Sequence, residues 1–383
     1  MSRQNQQRAR RVDELALIIF FLAALSLPVL GMALHLERSP VHRENRTLAP
    51  FPALSLNRHV LGSFPEKFRE YFEDHFGFRQ TLIGWQARVK VTWLGVSSSR
   101  QVLLGKEGWL FQPPYDNSTE TYRGPRPFTE QQLAQWQRIL ETRRAWLAQR
   151  GIPYLFVVAP EKGSIYPEYM PDAMTPKKLR PETRLDQLLA YMKLHSTVEI
   201  LDLRPSLSEA KSRHRLYHKT DTHWNDYGAF VAYRRIMREL SKFRPGLEPA
   251  EESDFEISRE PSPGLDLAAL LGLDDVISEE YIRMRSRPLG IESPGYSGNT
   301  RPRLVSERSD AGLPRLVMFR DSFANNLIPF LDRHFSRIVY IWNDGFDPQL
   351  IETEHPDFVI QEIVERALLS EPVQDPMVML PVD

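Results

Sequence analysis

The chain has 383 residues, enough for one large domain or two ordinary ones, and its hydrophobic share of 42% is typical of globular proteins. Its formal net charge of −1 argues against a nucleic-acid-binding protein, because contacts to phosphates require a basic surface. The chain contains no cysteine, which excludes disulfides, iron–sulfur clusters and thiolate zinc sites.

The first element in the chain is an uncharged stretch at residues 15–34. Its length matches that needed to cross a hydrocarbon core of ~30 Å, so it predicts a single transmembrane anchor. Arginines 3, 8, 10 and 11 precede it and the flank after it is of mixed charge, which places residues 1–14 in the cytoplasm and the body of the chain across the membrane. A cleaved signal peptide is the alternative, with Gly31-Met32-Ala33 as its cleavage site.

Residues 35–57 are rich in proline and polar side chains and predict an extended linker. Two helices are predicted next, at residues 64–76 and 80–94, from apolar and aromatic side chains at helical spacing. Their aromatic stripes are interpreted as core, which is the commoner fate of such side chains. Residues 103–111 predict a β-hairpin with Lys106-Glu107-Gly108 as its turn.

Helices and strands alternate from residue 129 onwards, and residues 58–383 are predicted to form one domain. Helices are predicted at 129–150, where Thr129 and Gln132 offer a capping box, and at 183–194 and 225–240. Strands are predicted at 154–158, 198–203, 316–319, 338–341 and 358–360. Residues 242–314 break the alternation and are interpreted as an insertion or irregular lid. This pattern favours an α/β fold with a mostly parallel sheet flanked by helices and a site at the carboxyl ends of the strands.

Two short motifs contain the parts of a serine-nucleophile triad, Asp221-Thr222-His223-Trp224 and Arg320-Asp321-Ser322-Phe323. Ser322 lies between a predicted strand and a predicted helix at 324–331, so its hydroxyl would point away from the sheet and its N–H would lie beside a developing oxyanion. Asp221 and His223 lie on the same side of an extended segment, so the carboxylate can fix the imidazole tautomer that deprotonates Ser322. Alone, an Asp-x-His pair more often caps a helix.

Further segments occur in an order that resembles a known family. They are Glu44-Asn45-Arg46 with residues 48–52, His75-Phe76-Gly77-Phe78-Arg79, residues 105–111, Pro160-Glu161-Lys162 with Tyr166-Pro167, the motif at 221–224, Gly264-Leu265-Asp266-Leu267, Asp321-Ser322-Phe323, and Pro356-Asp357 leading to Glu365-Arg366. With them the chain resembles the SGNH-hydrolase-like polysaccharide O-acetyltransferases of the AlgJ/AlgX type, which acetylate alginate and related exopolysaccharides in the bacterial periplasm. It is most similar to the anchored, single-module AlgJ-like members.

The resemblance implies an SGNH-hydrolase-like fold with a circularly permuted order of motifs, because the Asp-x-His motif precedes the serine, the reverse of ordinary SGNH esterases. It also implies that Ser322 takes the acetyl group as an ester, that His223 is the base and that Asp221 orients His223. Arg320 stands where the family often has glycine. This departure could alter the oxyanion hole.

Other side chains are candidates for contacts to the oxyanion or the substrate. Asn343 could donate to the oxyanion, although Asn-Asp-Gly is first a turn signal. Lys162 and Arg366 could hold uronate carboxylates or pair with nearby acids. Trp224 and Trp342 could stack on a sugar ring or pack in the core. The histidines show no ligand spacing, so neither a metal nor a cofactor is predicted.

The predicted function is transfer of acetyl groups to the hydroxyls of an alginate-like exopolysaccharide. A carbohydrate acetylesterase, with water as the acceptor, and a non-catalytic polysaccharide-binding scaffold of an export complex are the alternatives. Because acetyl-coenzyme A is cytoplasmic, the resemblance implies a membrane-bound O-acyltransferase as the partner that relays acetyl groups. The expected location is the inner membrane, with a single span and the catalytic body in the periplasm.

Overall fold

The computed structural model describes residues 3–34, 48–53, 58–113, 127–172, 182–286, 303–309, 312–342 and 345–370. The chain divides into two compact units, Met1–Ser98 and Ser99–Asp383. The boundary lies well after residue 58, where the sequence places the start of the domain, and the assignment of residues 58–383 to one domain stays a prediction.

The first unit contains the helix that fits a membrane anchor. Helix α1 (Arg3–Ala33) includes a stretch, Val12–Met32, that is long and apolar enough to span a membrane. The predicted helices at 64–76 and 80–94 are confirmed as α2 (Arg58–His75) and α3 (Arg79–Arg88), the latter continuing as a π-helix at Val89–Trp93. Of the predicted linker, residues 48–53 form neither helix nor strand, and residues 35–47 and 54–57 lie outside the described part.

The second unit begins with the predicted hairpin, whose strands β1 (Leu103–Leu104) and β2 (Leu110–Phe111) pair in antiparallel register. Its helices are α4 (Glu130–Ala148), α5 (Lys162–Ile165), α6 (Arg184–His195), α7 (Arg204–Ala210), α8 (Asp226–Leu240), α9 (Asp266–Leu271), α10 (Ile328–Leu331) and α11 (Pro348–Glu354). The predicted capping box is confirmed, since the Thr129 side chain accepts from the Gln132 N–H and the Gln132 side chain accepts from the Thr129 N–H.

A six-stranded sheet forms the centre of this unit. Its strands are β3 (Tyr154–Ala159), β4 (Ile200–Asp202), β7 (Arg303–Glu307), β8 (Arg315–Arg320), β9 (Arg337–Trp342) and β10 (Phe358–Val364). They lie in the order β4-β3-β10-β8-β9-β7, and every pair is parallel except that of the edge strand β7 with β9. The predicted, mostly parallel sheet is therefore confirmed.

Both faces of the sheet are covered, which explains the apolar runs in β3, β8 and β9. Successive side chains of a strand point to opposite faces. In β8, Leu316 and Met318 pack in the same core cluster as the apolar residues of α8, whereas Val317 and Phe319 pack in a second cluster with Leu147 of α4. This burial fixes the register of β8 and with it the position at which the strand ends.

The interpretation of residues 242–314 as irregular is wrong for a large part of this stretch. Strands β5 (Phe255–Pro263) and β6 (Ser278–Ser286) form a nine-residue antiparallel ribbon, and α9 lies between them. Exposed charged pairs such as Arg259 with Glu280 lie across the ribbon, so its outer face lacks the apolar alternation typical of a strand. Residues 287–302 lie outside the described part.

Candidate active site

Ser322 lies at the carboxyl end of a central strand. Strand β8 ends at Arg320, and Ser322 is the first residue of a 3-10 helix, Ser322–Leu327, which continues into α10. The predicted helix at 324–331 is thus helical throughout, but its first part is 3-10 rather than α. Residues at the carboxyl ends of parallel strands are where sites form in α/β folds.

The turn before Ser322 is held by carboxyl groups. Asp321 Oδ1 accepts from the Phe323 N–H at 2.8 Å, and Asp321 Oδ2 accepts from the Val364 N–H at 2.6 Å. The Asp321 N–H donates to Glu362 Oε2 at 3.1 Å. Among the described residues, no hydrogen bond uses the Ser322 N–H, since the cap takes the Phe323 N–H instead. The Ser322 amide is therefore left for an oxyanion.

His223 and Asp221 lie in the loop between α7 and α8, so the expectation that the site is built at the carboxyl ends of the strands is wrong for this motif. Asp221 Oδ1 accepts from the His223 N–H at 2.9 Å and contacts His223 Nδ1 at 2.7 Å. One carboxylate oxygen thus fixes both the backbone and the ring of His223. Asn225 then caps α8, with its side chain accepting from the Gly228 N–H.

The two motifs meet although 99 residues separate them. His223 Nε2 lies 2.8 Å from Ser322 Oγ. We assign the Nδ1 proton to the side facing Asp221, because a carboxylate can only accept there, and Nε2 is then the acceptor for the serine hydroxyl. Ser322, His223 and Asp221 form a continuous hydrogen-bonded row with the geometry of a nucleophile, a base and an orienting acid.

The electrostatics of this row favour proton uptake by the ring. Burial opposes protonation of His223, but the hydrogen bond and charge of Asp221 outweigh it and raise the pKa of His223 above its ordinary value. Burial likewise opposes ionisation of Asp221, yet its hydrogen bond with His223 and the charge of the ring hold the pKa of Asp221 well below its usual range. Asp221 stays ionised, and an imidazolium formed beside it is stabilised.

A second carboxylate, Asp266 of α9, lies close to the same ring. Its oxygens accept from the Thr222 N–H at 3.1 Å and from Thr222 Oγ1 at 3.3 Å. Partial burial and then the charge of Asp221 raise the pKa of Asp266 to about 6. Asp221, His223 and Asp266 each place one possible ligand atom within 4.8 Å of the others. An ion there would have to replace the bond between His223 and Asp221, and the absence of a metal stays a prediction.

Strand β6 supports the loop that carries His223. Glu279 Oε2 accepts from both the N–H and the hydroxyl of Thr220 at 2.6 Å, and Glu279 Oε1 lies 3.0 Å from His218 Nδ1. Glu279 itself is buried. Burial opposes its ionisation, but the bonds from His218 and Thr220 lower the pKa of Glu279 below its ordinary value. The ribbon of β5 and β6 thus places an ionised carboxylate beneath the loop that carries Asp221 and His223.

A second contact joins the ribbon to both motifs. Asp226, three residues after His223, accepts from the Met284 N–H at 3.1 Å and from the Tyr281 hydroxyl at 3.3 Å. The same carboxylate accepts from Asn326 Nδ2 at 3.3 Å, four residues after Ser322. Asp226 therefore connects β6 with the loop that carries His223 and with the turn that carries Ser322.

Comparison with known proteins identifies the group to which this arrangement belongs. The family described as "SGNH hydrolase-like domain, acetyltransferase AlgX" matches residues 102–352, which is more than half of the chain. The chain belongs to this family. The predicted resemblance and the predicted SGNH-like fold class are confirmed.

Individual relatives agree with this assignment. A Pseudomonas aeruginosa protein named "Probable alginate O-acetylase AlgJ" is 27% identical over 270 residues, 69% of this chain and 66% of that protein. The protein of the same name from Pseudomonas fluorescens is 28% identical over 288 residues, 67% of each chain. The structure of Bacillus cereus PatB1 matches the fold with a TM-score of 0.51 and 17% identity, covering 72% of this chain and 98% of that one. The chain spans about two thirds of the length of these AlgJ relatives.

Three of the side chains predicted to contact the oxyanion or the substrate, Lys162, Trp224 and Arg320, are buried. Lys162 is almost completely buried, and its ammonium donates to the carbonyls of His218, Lys219 and Asp221 at 3.0, 3.2 and 2.6 Å. A role in holding uronate carboxylates is therefore wrong for Lys162, which holds the triad loop instead. Burial lowers the pKa of Lys162 to about 8 despite the opposing charge of Asp221.

Trp224 does not offer a ring face on which a sugar could stack. It is fully buried, and its indole N–H donates to the Phe323 carbonyl at 3.0 Å, so it packs in the core, the alternative left open. Arg320 is buried as well, and it donates to the Asp321 carbonyl and, at 2.6 Å, to Asn325 Oδ1. Asn343 lies outside the described residues.

Arg366 and Trp342 lie near residues on either side of Ser322, which are Phe323 and Arg320. Arg366 pairs with Glu161 at 2.6 Å, which is the alternative left open for it, and its guanidinium lies 5.4 Å from the ring centre of Phe323. Trp342 is half-buried and has the Arg320 guanidinium 4.9 Å from its ring centre.

Four acids at or beside the site have no role predicted from the sequence: Asp226, Asp266, Glu279 and Glu362. Asp266 belongs to the quoted segment Gly264-Leu265-Asp266-Leu267, so a signal for it was present without a role. Glu279 and Glu362 lack a signal, because each interrupts its own strand and finds its partners far away in the chain. Glu362 is completely buried, and burial together with the charge of Asp321 raises its pKa well above the ordinary value.

Proposed function

We propose that this protein transfers acetyl groups to the hydroxyls of an exopolysaccharide through an acetyl ester on Ser322. The observation that carries the proposal is the hydrogen-bonded row from Ser322 Oγ to His223 Nε2 at 2.8 Å and from His223 Nδ1 to Asp221 at 2.7 Å. Membership of an acetyltransferase family supports acetyl as the group transferred. The AlgJ relatives are named as alginate O-acetylases, which supports a polysaccharide as the acceptor.

The first half-reaction forms the acetyl ester. Ser322 Oγ attacks the carbonyl carbon of an acetyl ester while His223 Nε2 takes the serine proton, and Asp221 stabilises the resulting imidazolium. The oxyanion of the tetrahedral intermediate is stabilised by the Ser322 N–H. The intermediate then collapses, and the leaving alcohol departs with the proton from His223.

The second half-reaction reverses these proton movements. A sugar hydroxyl gives its proton to His223 Nε2 and attacks the acetyl carbonyl carbon. Ser322 Oγ leaves and regains the proton from His223. Water in place of the sugar would release acetate, so the acceptor alone decides whether the outcome is transfer or hydrolysis.

The membrane anchor supports a location and a donor. Helix α1 fits a single-pass anchor, and the arginines before it favour a cytoplasmic N-terminus with the body in the periplasm. A periplasmic transferase has no access to cytoplasmic acetyl-coenzyme A. We therefore include in the proposal the inner membrane as the location and a membrane-bound O-acyltransferase as the partner that relays acetyl groups.

The proposal is tested by intact mass and peptide mapping after exposure of the protein to an activated acetyl ester. The expected result is one acetyl adduct on Ser322, lost in Ser322→Ala and strongly reduced in His223→Ala. Ser212→Ala is the matched control, because Ser212 is exposed and bonds only locally to the Glu209 carbonyl. Acetylation of the Ser322→Ala protein at the wild-type rate would refute the mechanism.

The acceptor is tested separately with an unacetylated oligosaccharide and the same donor. Acetyl groups on the oligosaccharide, absent with Ser322→Ala, are expected for a transferase. Release of acetate without any acetylated oligosaccharide would assign the protein as an esterase. Failure of Ser322 to acquire acetyl under any condition would leave only the scaffold alternative.

A further inference from the structure

The third helix and its continuation expose an apolar stripe that the catalytic function does not use. Leu82, Trp85, Val89 and Trp93 are spaced i, i+3, i+7 and i+11, which places them along one side of a helix. Trp85 is 62% exposed and Trp93 81%. The interpretation of this stripe as core is therefore wrong, and its exposure requires another partner.

The start of this helix lies against the membrane-spanning helix. A Cβ on Gly77 would lie 2.1 Å from the Pro28 carbonyl oxygen and 2.7 Å from the Met32 nitrogen. From the other side, a Cβ on Gly31 would lie 2.7 Å from the ring of Phe78. At Gly77 the two backbones thus approach so closely that only glycine fits, and at Gly31 the ring of Phe78 occupies the space of a Cβ.

This contact determines how deep in the membrane the chain lies just before α3. The inference rests on the proposed anchoring, in which Val12–Met32 spans the membrane, so Pro28 lies within about 6 Å of the end of the span at 1.5 Å per residue. That end is the one followed in the chain by the linker. Gly77 would therefore lie at the boundary between hydrocarbon and headgroups, and α3 begins two residues later.

The charges of the segment match a membrane surface. Residues 79–96 contain three basic side chains, at positions 79, 88 and 90, and no acidic one. The adjacent helix α2 differs, since it carries four acids, and Phe51 contacts its aromatic side chains Phe68 and Tyr71. Among the described residues, neither Trp85 nor Trp93 has a ring contact.

We propose that residues 79–96 lie in the headgroup region of the same bilayer that α1 spans, with Trp85 and Trp93 at the boundary to the acyl chains. Tryptophan prefers this depth because its ring is apolar and its N–H is polar. A basic segment with an apolar stripe binds anionic lipid surfaces. The segment therefore acts as a second, interfacial attachment that restricts how the first unit is oriented on the membrane.

The test uses the full chain in nanodiscs of phosphatidylethanolamine and phosphatidylglycerol. Because the chain has no cysteine, a single nitroxide label can be attached to Trp85→Cys or Trp93→Cys without further changes. Phe20→Cys, within the span, is the lipid reference. Leu194→Cys, 80% exposed in the second unit, is the aqueous reference.

We expect the labels at 85 and 93 to collide more often with oxygen than with a water-soluble nickel chelate, as at position 20, and the label at 194 to show the reverse. Labels at 85 and 93 that match position 194 would overturn the proposal. Protection from both reagents would also overturn it, because it would mean that another protein or a second copy covers the segment.

A second measurement leaves the tryptophans in place. Brominated phospholipids are expected to quench part of the tryptophan fluorescence of the wild-type chain, and this part is expected to be lost in Trp85→Phe/Trp93→Phe. The matched control is Trp146→Phe, a half-buried tryptophan of the second unit. Quenching that is unchanged in the double variant would contradict the proposal independently of the labels.

Discussion

Replacing Asp221 by asparagine separates the charge of this residue from its geometry. Asp221 Oδ1 serves both the N–H and the Nδ1–H of His223, and an amide oxygen in the same place accepts both bonds. Asp221→Asn therefore keeps the ring oriented. What it removes is the negative charge that faces the imidazolium when Ser322 gives up its proton.

The size of the effect follows from the positions of the two charges. The side chains are largely shielded from water, 24% exposed for His223 and 19% for Asp221. Two unit charges about 4 Å apart interact by ~4 kcal/mol at an effective dielectric constant of about 20. Because 1.36 kcal/mol is about tenfold in rate, we expect acetylation of Ser322 to slow by roughly 10³-fold.

The pH dependence gives an independent readout. Burial lowers the pKa of His223 and the bond and charge of Asp221 raise it by more, so the wild-type base is neutral, and active, only above its ordinary pKa. Without the charge the pKa falls, and the activity of Asp221→Asn, relative to its own maximum, persists to lower pH. The assay is single-turnover release of nitrophenol from 4-nitrophenyl acetate over a series of pH values.

Asp266→Asn is the matched control for this experiment. Asp266 lies near the same ring but bonds to Thr222 rather than to the imidazole. Its removal should lower the pKa of His223 slightly and leave the maximal rate within a few fold of the wild type. Equal losses in both variants, or an Asp221→Asn enzyme with the wild-type rate and pH profile, would refute the assigned role of Asp221.

Three further substitutions test the support of the site. Lys162→Met leaves the carbonyls of His218 and Asp221 without the Lys162 donor and should reduce the free energy of unfolding by about 3–5 kcal/mol in urea titrations, whereas Lys219→Met, at a more exposed position, should change it by less than about 1 kcal/mol. Glu279→Gln removes the charge beneath the loop that carries Asp221 and His223, so it should slow Ser322 acetylation without changing the secondary structure. Glu280→Gln, at an exposed position, should leave the rate of acetylation unchanged. Because the pKa of Glu362 is raised, the free energy of unfolding of the wild type should fall as the pH rises above the ordinary carboxyl pKa. Glu362→Gln should therefore gain stability relative to the wild type between pH 5 and pH 8 in paired urea titrations. A difference that stays constant over this range would contradict a protonated Glu362.

The elements that the sequence predicts well are those whose signals are local. Strand β3 and residues 316–319 of β8 are continuous apolar runs, and the capping box at Thr129 needs only the next three residues. The triad residues are recognisable because the motif Asp221-Thr222-His223 brings two of its members together. The contact with Ser322 also depends on the distant side chains of Lys162 and Glu279 that hold the loop carrying His223.

The elements that the sequence does not predict depend on distant partners. Strand β5 contains Pro261 and Pro263, which argue against a strand, and its outer side chains are charged; it forms because β6 supplies the complementary ladder. Lys162 is charged and nonetheless buried, since its partners lie more than fifty residues away. Trp93 shows the opposite case of an apolar residue left outside.

Acidic side chains hold the backbone from which the proposed catalytic residues project. Asp321 takes the N–H groups of Phe323 and Val364, and Asp221 takes that of His223. The bonds to Phe323 and His223 fix peptides next to the proposed nucleophile and base, so little reorganisation would remain for the proposed attack. These carboxylates do not use the Ser322 N–H, which stays available for the proposed oxyanion. Burial raises the pKa of both Asp321 and Glu362, and the charge of Asp321 raises that of Glu362 further, so the pair resists carrying two negative charges.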